Sequence, residues 1–249
     1  MSVLLFLPRA ILVALWIVSS LLSVILIYPV VPLSVRNAMN HRWSRALLRI
    51  CGVKLRVEGR PPPDRAALWV ANHVSWLDIF ILSSVHSVVF IAKSEIRRWP
   101  VLGWMVAGAN TIFIERGRRH AIRAVGKQMQ ARFDRGEVVG LFPEGTTSAG
   151  FDVSPFHSSL FDPAIRGHVS IQPVALRFRH RGRRSGYVAF VGEQNLIQNL
   201  WRLLGTTQVE VDVVFPPSIS PEKSLELGRA RSAALAHRLI CEAVAPSRE

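Results

Sequence analysis

The chain has 249 residues, of which 49% are hydrophobic, so it is long enough to bury one sizeable core. Its 31 lysines and arginines against 17 acidic residues give a formal net charge of +14, which attracts anionic membranes, nucleic acids or acidic carrier proteins. The common nucleic-acid modules are excluded, because the chain has no zinc-finger spacing, no aromatic RNA-binding block and no heptad-linked basic region. Cys51 and Cys241 form no Cys-x-x-Cys pattern and no histidines cluster at metal-ligand spacing, so neither a disulfide framework nor a zinc site is indicated.

The amino-terminal segment is predicted to insert into a membrane as one helix. No charged residue occurs from Ala10 to Val35, and residues 11–27 are mainly Leu, Ile and Val. A cleavable signal peptide is the alternative, but the apolar stretch exceeds the usual signal core and lacks a clear small-x-small exit. Pro29 and Pro32 then end the predicted helix.

A basic helix is predicted over residues 36–49, where Arg42, Arg45 and Arg49 recur at helical spacing beside apolar residues. The pattern fits a helix lying on a bilayer, although an ordinary surface helix would look similar. Positive residues directly after the apolar stretch, with no second long apolar stretch, place the remainder on the cytoplasmic side. We therefore expect a protein of the cell inner membrane that faces the cytoplasm.

The rest of the chain alternates between strand and helix patterns. Apolar runs predict strands at 53–58, 67–71, 88–92, 111–114, 138–142, 171–177, 187–191 and 209–215. Helices are predicted at 76–84, 120–135 and 224–243. This alternation predicts an α/β fold with a mixed, mostly parallel sheet flanked by helices, and it leaves an antiparallel arrangement of the last strands open.

A polar segment, Asn72–Asp78, follows the predicted strand at 67–71, and strand ends are where α/β proteins build their sites. His73 could take a proton from an alcohol near neutral pH, but it needs a partner that fixes its tautomer and stabilises the imidazolium. If a helix begins near Ser75, the carboxylate of Asp78 can fold back toward His73 across one turn. Such a pair would activate a substrate hydroxyl instead of a protein nucleophile.

Three further blocks accompany this segment, so that the full set in chain order is Asn72–Asp78, Thr111–Arg116, Phe142–Ser148 and Ile171–Leu176. With these blocks the sequence resembles the glycerolipid acyltransferase family of the 1-acyl-sn-glycerol-3-phosphate type. Its members transfer a fatty acyl group from a thioester to a lysolipid hydroxyl. The resemblance implies the fold of that family, with a catalytic domain at 51–249 after a membrane anchor and amphipathic helix at 1–50.

The resemblance implies a role for each matching residue. His73 would be the general base on the acceptor hydroxyl, oriented by Asp78 and supported by Asn72 and Ser75. The residues expected to contact or enclose the acceptor are Arg116, Glu144, Gly145, Thr146, Thr147 and Pro173. Among these, the arginine would bind the phosphate of the acceptor through bidentate contacts, and the proline marks the strand that walls the site.

Two positions depart from the family pattern. Members that form phosphatidic acid commonly have arginine where this chain has Thr147, and a threonine brings one hydrogen-bond donor but no charge. The Thr-Thr-Ser sequence is similar to the branch that acylates lyso-ornithine lipid, an aminolipid without phosphate. His157 stands where the family often has lysine, and it could supply a pH-dependent positive charge.

The resemblance implies acylation of the sn-2 hydroxyl of 1-acyl-sn-glycerol-3-phosphate, which forms phosphatidic acid in phospholipid biosynthesis. Lyso-ornithine lipid is the alternative acceptor, and the donor is either acyl-CoA or acyl carrier protein. No metal or other cofactor is expected, because the thioester is already activated. A serine hydrolase and a P-loop enzyme are excluded, since the chain has no Gly-x-Ser-x-Gly elbow and no complete P-loop. A non-enzymatic basic membrane adaptor is the remote alternative, but this function would not explain why the four blocks occur together.

Two segments allow two interpretations each. The hydrophobic segment Trp99–Ala107 fits either the core or the wall of a tunnel for the acyl chain. The basic run Arg177–Arg184 is predicted as a loop between two strands, either solvated or in contact with lipid headgroups.

Overall fold

The computed structural model describes residues 3–59, 65–115 and 119–245 of the chain. Two helices come first, α1 (Val3–Leu26) and α2 (Leu33–Ile50), and a 3-10 turn at Tyr28–Val30 separates them. This turn contains Pro29, and Pro32 directly precedes α2; a proline lacks the backbone N–H that a continuous helix would need.

The strands that follow are β1 (Val53–Glu58), β2 (Ala67–Ala71), β3 (Val88–Lys93), β4 (Ile112–Ile114), β5 (Val138–Leu141), β6 (Ser170–His180), β7 (Arg183–Arg184) and β8 (Val209–Val214). The helices among them are α3 (Leu77–Val85), α4 (Leu102–Gly108), α5 (Arg119–Phe133), α6 (Asp162–Arg166), α7 (Leu196–Leu204) and α8 (Pro221–Val244). Two 3-10 turns lie at Ser94–Arg98 and Ser159–Phe161.

The strands form one sheet with the order β1-β8-β6-β2-β5-β3-β4, and β7 pairs with β6. β6 is antiparallel to β7 and β8, whereas the other neighbouring strands are parallel. The prediction of a mixed, mostly parallel sheet flanked by helices is therefore confirmed. All five residues of β2 are buried, as expected for a central strand that is covered on both faces.

Each face of the sheet packs against its own group of helices. Side chains alternate along β2, so that Trp69 joins the core under α1, α2, α3 and α7, and Leu68 joins the core under α5, α6 and α8. Val13 and Trp16 of α1 belong to the first of these cores. The amino-terminal helices therefore share a core with the residues after position 50, and the division of the chain into domains at that position stays a prediction.

Several details differ from the sequence predictions. Residues 187–191 form a turn and coil instead of a strand, and the amide of Phe190 donates to the Val74 carbonyl oxygen at 2.9 Å. The elements α4, α6, α7 and β7 were not predicted. α1 begins before residue 11 and includes Arg9, whose guanidinium donates to the carbonyl oxygen of Leu204. α8 is kinked at Gly228, where φ is 68°.

Candidate active site

The segments Asn72–Asp78 and Phe142–Ser148 meet at the carboxyl edge of the sheet. β2 and β5 are parallel neighbours, with Val70 beside Leu141, so the chain leaves both strands at the same edge. The segment after β2 carries His73, and the segment after β5 carries Glu144. The proximity of these two blocks follows from this pairing.

His73 and Asp78 are in direct contact. The Nδ1 atom of His73 lies 2.8 Å from Oδ2 of Asp78. The same oxygen accepts the backbone N–H groups of Val74 at 2.7 Å and Ser75 at 2.9 Å, just before α3. Asp78 is fully buried, whereas the His73 side chain is 21% exposed. The carboxylate is therefore held in place, and Nε2 of the imidazole is left for an incoming group.

An aromatic stack supports the imidazole. The ring of Phe142 lies 4.2 Å from the His73 ring, centroid to centroid, with an interplanar angle of 16°. Phe90 of β3 stacks in turn on the Phe142 ring, with 5.8 Å between the ring centroids. This role of Phe142 was not predicted from the sequence. Its position directly before Pro143 at the end of an apolar strand was the available signal.

Glu144 holds main chain on both sides of the site. Its Oε1 accepts the backbone N–H of His73 at 2.7 Å, and its Oε2 accepts that of Ser154 at 2.8 Å. Burial raises the pKa of the Glu144 carboxyl, and the hydrogen bonds from the two backbone N–H groups oppose part of that rise. Both oxygens are thus engaged within the protein, which indicates positioning of His73 more than contact with an acceptor.

The predicted supporting residues have structural partners. Asn72 is buried and bridges β2 to β6, since it donates to the Leu176 carbonyl oxygen at 3.0 Å and accepts the Leu176 N–H at 2.7 Å. Ser75 is buried at the amino end of α3. Pro173 lies in β6 beside Val70, before the register with β8 begins. Proline, which has no backbone N–H, is tolerated there because β6 is not yet paired with β8 at this position.

The third block, Phe142–Ser148, forms a turn next to His73. Gly145 has a φ of 76°, which favours glycine, and the N–H of Ser148 donates to the His73 carbonyl oxygen at 2.8 Å. Thr146 is exposed. The hydroxyl of Thr147 donates to the carbonyl oxygen of Phe190. At the position where the family often has arginine, this chain therefore uses its side chain to secure a neighbouring loop.

Other predicted residues lie further from this centre or outside the described part. Arg116 lies outside the described residues, in the segment 116–118. His157 has an exposed side chain. The prediction of a loop at Arg177–Arg184 is wrong except at residues 181 and 182, because residues 177–180 continue β6 and residues 183–184 form β7. Arg177 and Arg179 both pair there with Asp212, at 3.4 and 2.9 Å.

A cavity of about 210 Å³ lies between α1, α2, α3 and α4. Its lining is mostly apolar and includes Phe90, which stacks on Phe142 next to His73. Met105 and Val106 line it as well, whereas Trp104 is exposed. Part of the segment Trp99–Ala107 therefore faces this cavity.

A hydrogen bond between the site and α7 was not predicted from the sequence either. The indole Nε1 of Trp76, between His73 and Asp78 in the chain, donates to Oδ1 of the buried Asn199 at 2.9 Å. Asn195 and Gln198 form a capping box at the start of α7, and this sequence pattern could have revealed the helix. The described residues contain no group of three His, Cys, Asp or Glu side chains arranged to hold a metal ion.

Comparisons with known proteins identify the family. The family model described as Acyltransferase matches residues 54–177. The lyso-ornithine lipid O-acyltransferase of Pseudomonas aeruginosa is 34% identical over 205 residues, which cover 82% of this chain and 78% of the relative. The 1-acyl-sn-glycerol-3-phosphate acyltransferase of Neisseria meningitidis serogroup B is 38% identical over 183 residues, which cover 72% of this chain and 71% of the relative.

The crystal structure of the 1-acyl-sn-glycerophosphate (LPA) acyltransferase PlsC from Thermotoga maritima is similar with a TM-score of 0.73. The two chains are 20% identical, and the match covers 98% of this chain and 94% of the Thermotoga maritima chain. This similarity shows that the fold is the same. The residues matched by the family model include the dyad and the third block. The chain therefore belongs to the acyltransferase family and is an acyltransferase of the lysolipid type.

Proposed function

We propose that this enzyme transfers a fatty acyl group from acyl-CoA or acyl carrier protein to the sn-2 hydroxyl of 1-acyl-sn-glycerol-3-phosphate and so forms phosphatidic acid. The observation that carries the proposal is the dyad at the carboxyl edge of the sheet, with His73 Nδ1 2.8 Å from Asp78 Oδ2. Because the carboxylate accepts the proton on Nδ1, the tautomer with a basic Nε2 is favoured. A basic nitrogen at a partly open position suits an acceptor that arrives with a hydroxyl group.

The chemistry then needs only these side chains and the thioester. Nε2 of His73 takes the proton of the acceptor hydroxyl as its oxygen attacks the thioester carbonyl carbon. The new C–O bond forms, the C–S bond breaks, and the proton leaves with the thiol. Asp78 stabilises the imidazolium during this exchange, as an acid partner does in other hydroxyl-activating sites.

The phosphate of the acceptor is assigned to Arg116, because this residue matches the phosphate-binding arginine of the family pattern. The net charge of +14 favours both a phosphate-bearing acceptor and an anionic donor. The relative from Neisseria meningitidis, named 1-acyl-sn-glycerol-3-phosphate acyltransferase, supports this choice.

Lyso-ornithine lipid is the second candidate acceptor. Thr147 supports it, because this residue supplies no charge and its hydroxyl is already bonded to the Phe190 carbonyl oxygen. The relative from Pseudomonas aeruginosa carries the corresponding name. An acceptor without phosphate would not need a second arginine at this position.

We also propose attachment to the cell inner membrane with the catalytic residues on the cytoplasmic side. The segment Val3–Val30 is long and apolar enough to cross a membrane, and most of its apolar stretch is not buried in the protein. Leu7, Ile11, Leu15 and Val18 are among its exposed residues and recur every three or four positions along α1. This exposed stripe supports insertion into lipid.

The test is an acylation assay of the purified full chain in lipid, with lysophosphatidic acid or lyso-ornithine lipid as acceptor and acyl-CoA or acyl carrier protein as donor. Turnover of lyso-ornithine lipid without turnover of lysophosphatidic acid would overturn the first choice. In the same assay, Arg116→Ala should mainly raise the KM for lysophosphatidic acid. Arg166→Ala, on an exposed residue of α6 before the opposite edge of the sheet, is the matched control and should change neither constant.

A further inference from the structure

α7 presents two opposite sides with different partners. On one side, Asn199 is buried and its Nδ2 donates to the Ala189 carbonyl oxygen at 3.0 Å. On the other side, Ile197 is 78% exposed and Trp201 is 44% exposed. A large apolar side chain beside an exposed tryptophan is costly in water and typical of surfaces that contact lipid or another protein.

This exposed side of α7 lies beside α1. The ring of Trp201 is 3.9 Å from that of Phe6, centroid to centroid, and the two helices are in contact. Leu4 and Leu7 of α1 are exposed on either side of Phe6. The apolar surface of α7 therefore continues the exposed stripe of α1 instead of standing alone.

The charge of α7 also suits an anionic bilayer. The helix contains no acidic residue, and Arg202 is exposed next to Trp201. Tryptophan is favoured at the level of lipid headgroups, with its apolar body in the hydrocarbon and its N–H toward water. An arginine at the same level can bind lipid phosphate.

We propose that α7 is a second membrane-contacting helix, which docks Ile197 and Trp201 into the bilayer beside α1. The proposal rests on the membrane attachment through α1 given under Proposed function. α7 is also joined to the catalytic segment, because Asn199 accepts the indole N–H of Trp76 at 2.9 Å. Contact of α7 with lipid would thus set the height of the His73 segment relative to the bilayer that holds the acceptor.

The first experiment measures the depth of single labels. In full-length protein with Cys51 and Cys241 replaced by alanine, the variants Ile197→Cys, Ile11→Cys and Leu225→Cys each carry an environment-sensitive fluorophore. Each protein is bound to vesicles of phosphatidylethanolamine and phosphatidylglycerol with nitroxide-labelled acyl chains. We expect quenching at position 197 and at position 11 of α1. We expect none at position 225 of α8, which is 57% exposed and serves as the control.

The outcomes separate the two proposals. Quenching at 11 without quenching at 197 would overturn the docking of α7 and leave the attachment through α1 standing. Absence of quenching at both positions would overturn both. A label at 197 that is shielded from an aqueous quencher but not reached by the lipid quencher, in a protein that is dimeric by light scattering, would assign this surface to a second copy of the chain.

The second experiment measures turnover. Ile197→Asp should lower the turnover of an acceptor presented in vesicles by about tenfold, since an aliphatic side chain that the bilayer would cover is replaced by a charge that resists insertion. Turnover of a short-chain acceptor dispersed in water should not change, and Leu225→Asp should affect neither. An equal loss with both acceptors would point to damage to the fold and contradict the proposal, as would no loss with either.

Discussion

Replacement of Glu144 tests whether this residue positions His73 or contacts the acceptor. The carboxylate is buried, and its two oxygens accept backbone N–H groups of His73 and Ser154 at 2.7 and 2.8 Å. A hydrogen bond to a charged group contributes about 1.5–3 kcal/mol, and an N–H left buried without a partner costs about 1–3 kcal/mol. Glu144→Ala removes both bonds, so we expect a loss of about 3–5 kcal/mol in the free energy of unfolding.

Glu144→Gln should lower the free energy of unfolding by less than Glu144→Ala does. One amide oxygen can still accept the His73 N–H, but the amide nitrogen then faces the Ser154 N–H, so one bond is lost. Removal of a buried charge offsets part of the cost of this lost bond. We therefore expect the free energy of unfolding to fall by about 1–2 kcal/mol at neutral pH. Urea denaturation of both variants measures these values. Glu226→Gln, on an exposed side chain of α8, is the control and should change stability by less than about 0.5 kcal/mol.

Steady-state kinetics of the same variants separate the two roles. If the carboxylate holds the main chain of His73, kcat should fall while the KM for the acceptor stays close to that of the wild type. A raised KM with unchanged kcat would mean that Glu144 contacts the acceptor, as the family resemblance suggested. A loss of stability below about 1 kcal/mol for Glu144→Ala would refute the reasoning from the hydrogen bonds.

The pH dependence of stability gives a further check on Glu144. Burial raises the pKa of its carboxyl above the ordinary value of 4.5, so the folded chain binds this proton more tightly than the unfolded chain. The contribution of Glu144 to stability is therefore greatest below that value and decreases as pH rises through the folded pKa. The difference in stability between the wild type and Glu144→Gln should shrink over the same interval, as followed by urea denaturation at a series of pH values.

Three further predictions concern the other residues of the site. His73→Ala should lower kcat by on the order of 10²-fold or more with either acceptor, and retention of full turnover would remove the general base from the mechanism. Asn72→Leu should lower the free energy of unfolding by about 2–4 kcal/mol, measured in urea, because the N–H and carbonyl groups of Leu176 lose their buried partner. Thr147→Val should cost about 1 kcal/mol through the lost bond to the Phe190 carbonyl oxygen. Its KM for the acceptor should not change, and an increase would show that the hydroxyl reaches the substrate.

Local patterns in the sequence were sufficient for the parts of the molecule that depend on neighbouring residues. The strands β1 and β2 have their predicted bounds, because short apolar runs between polar turns allow few other structures. The contact between His73 and Asp78 followed from their spacing across the start of α3, which is a local property of the chain. The sequence of alternating elements was enough to predict the α/β sheet.

The tertiary structure decided what depends on residues far apart in the chain. Phe142 stacks on His73 because β2 and β5 are neighbours, and this order is not visible in either strand alone. Thr147 bonds to Phe190 within a segment that was predicted as a strand, since an apolar run does not reveal which backbone groups a distant loop will occupy. The link from Trp76 to α7 depends in the same way on packing across one face of the sheet. Periodicity reports which side of an element is apolar, whereas only the folded chain determines what that side meets.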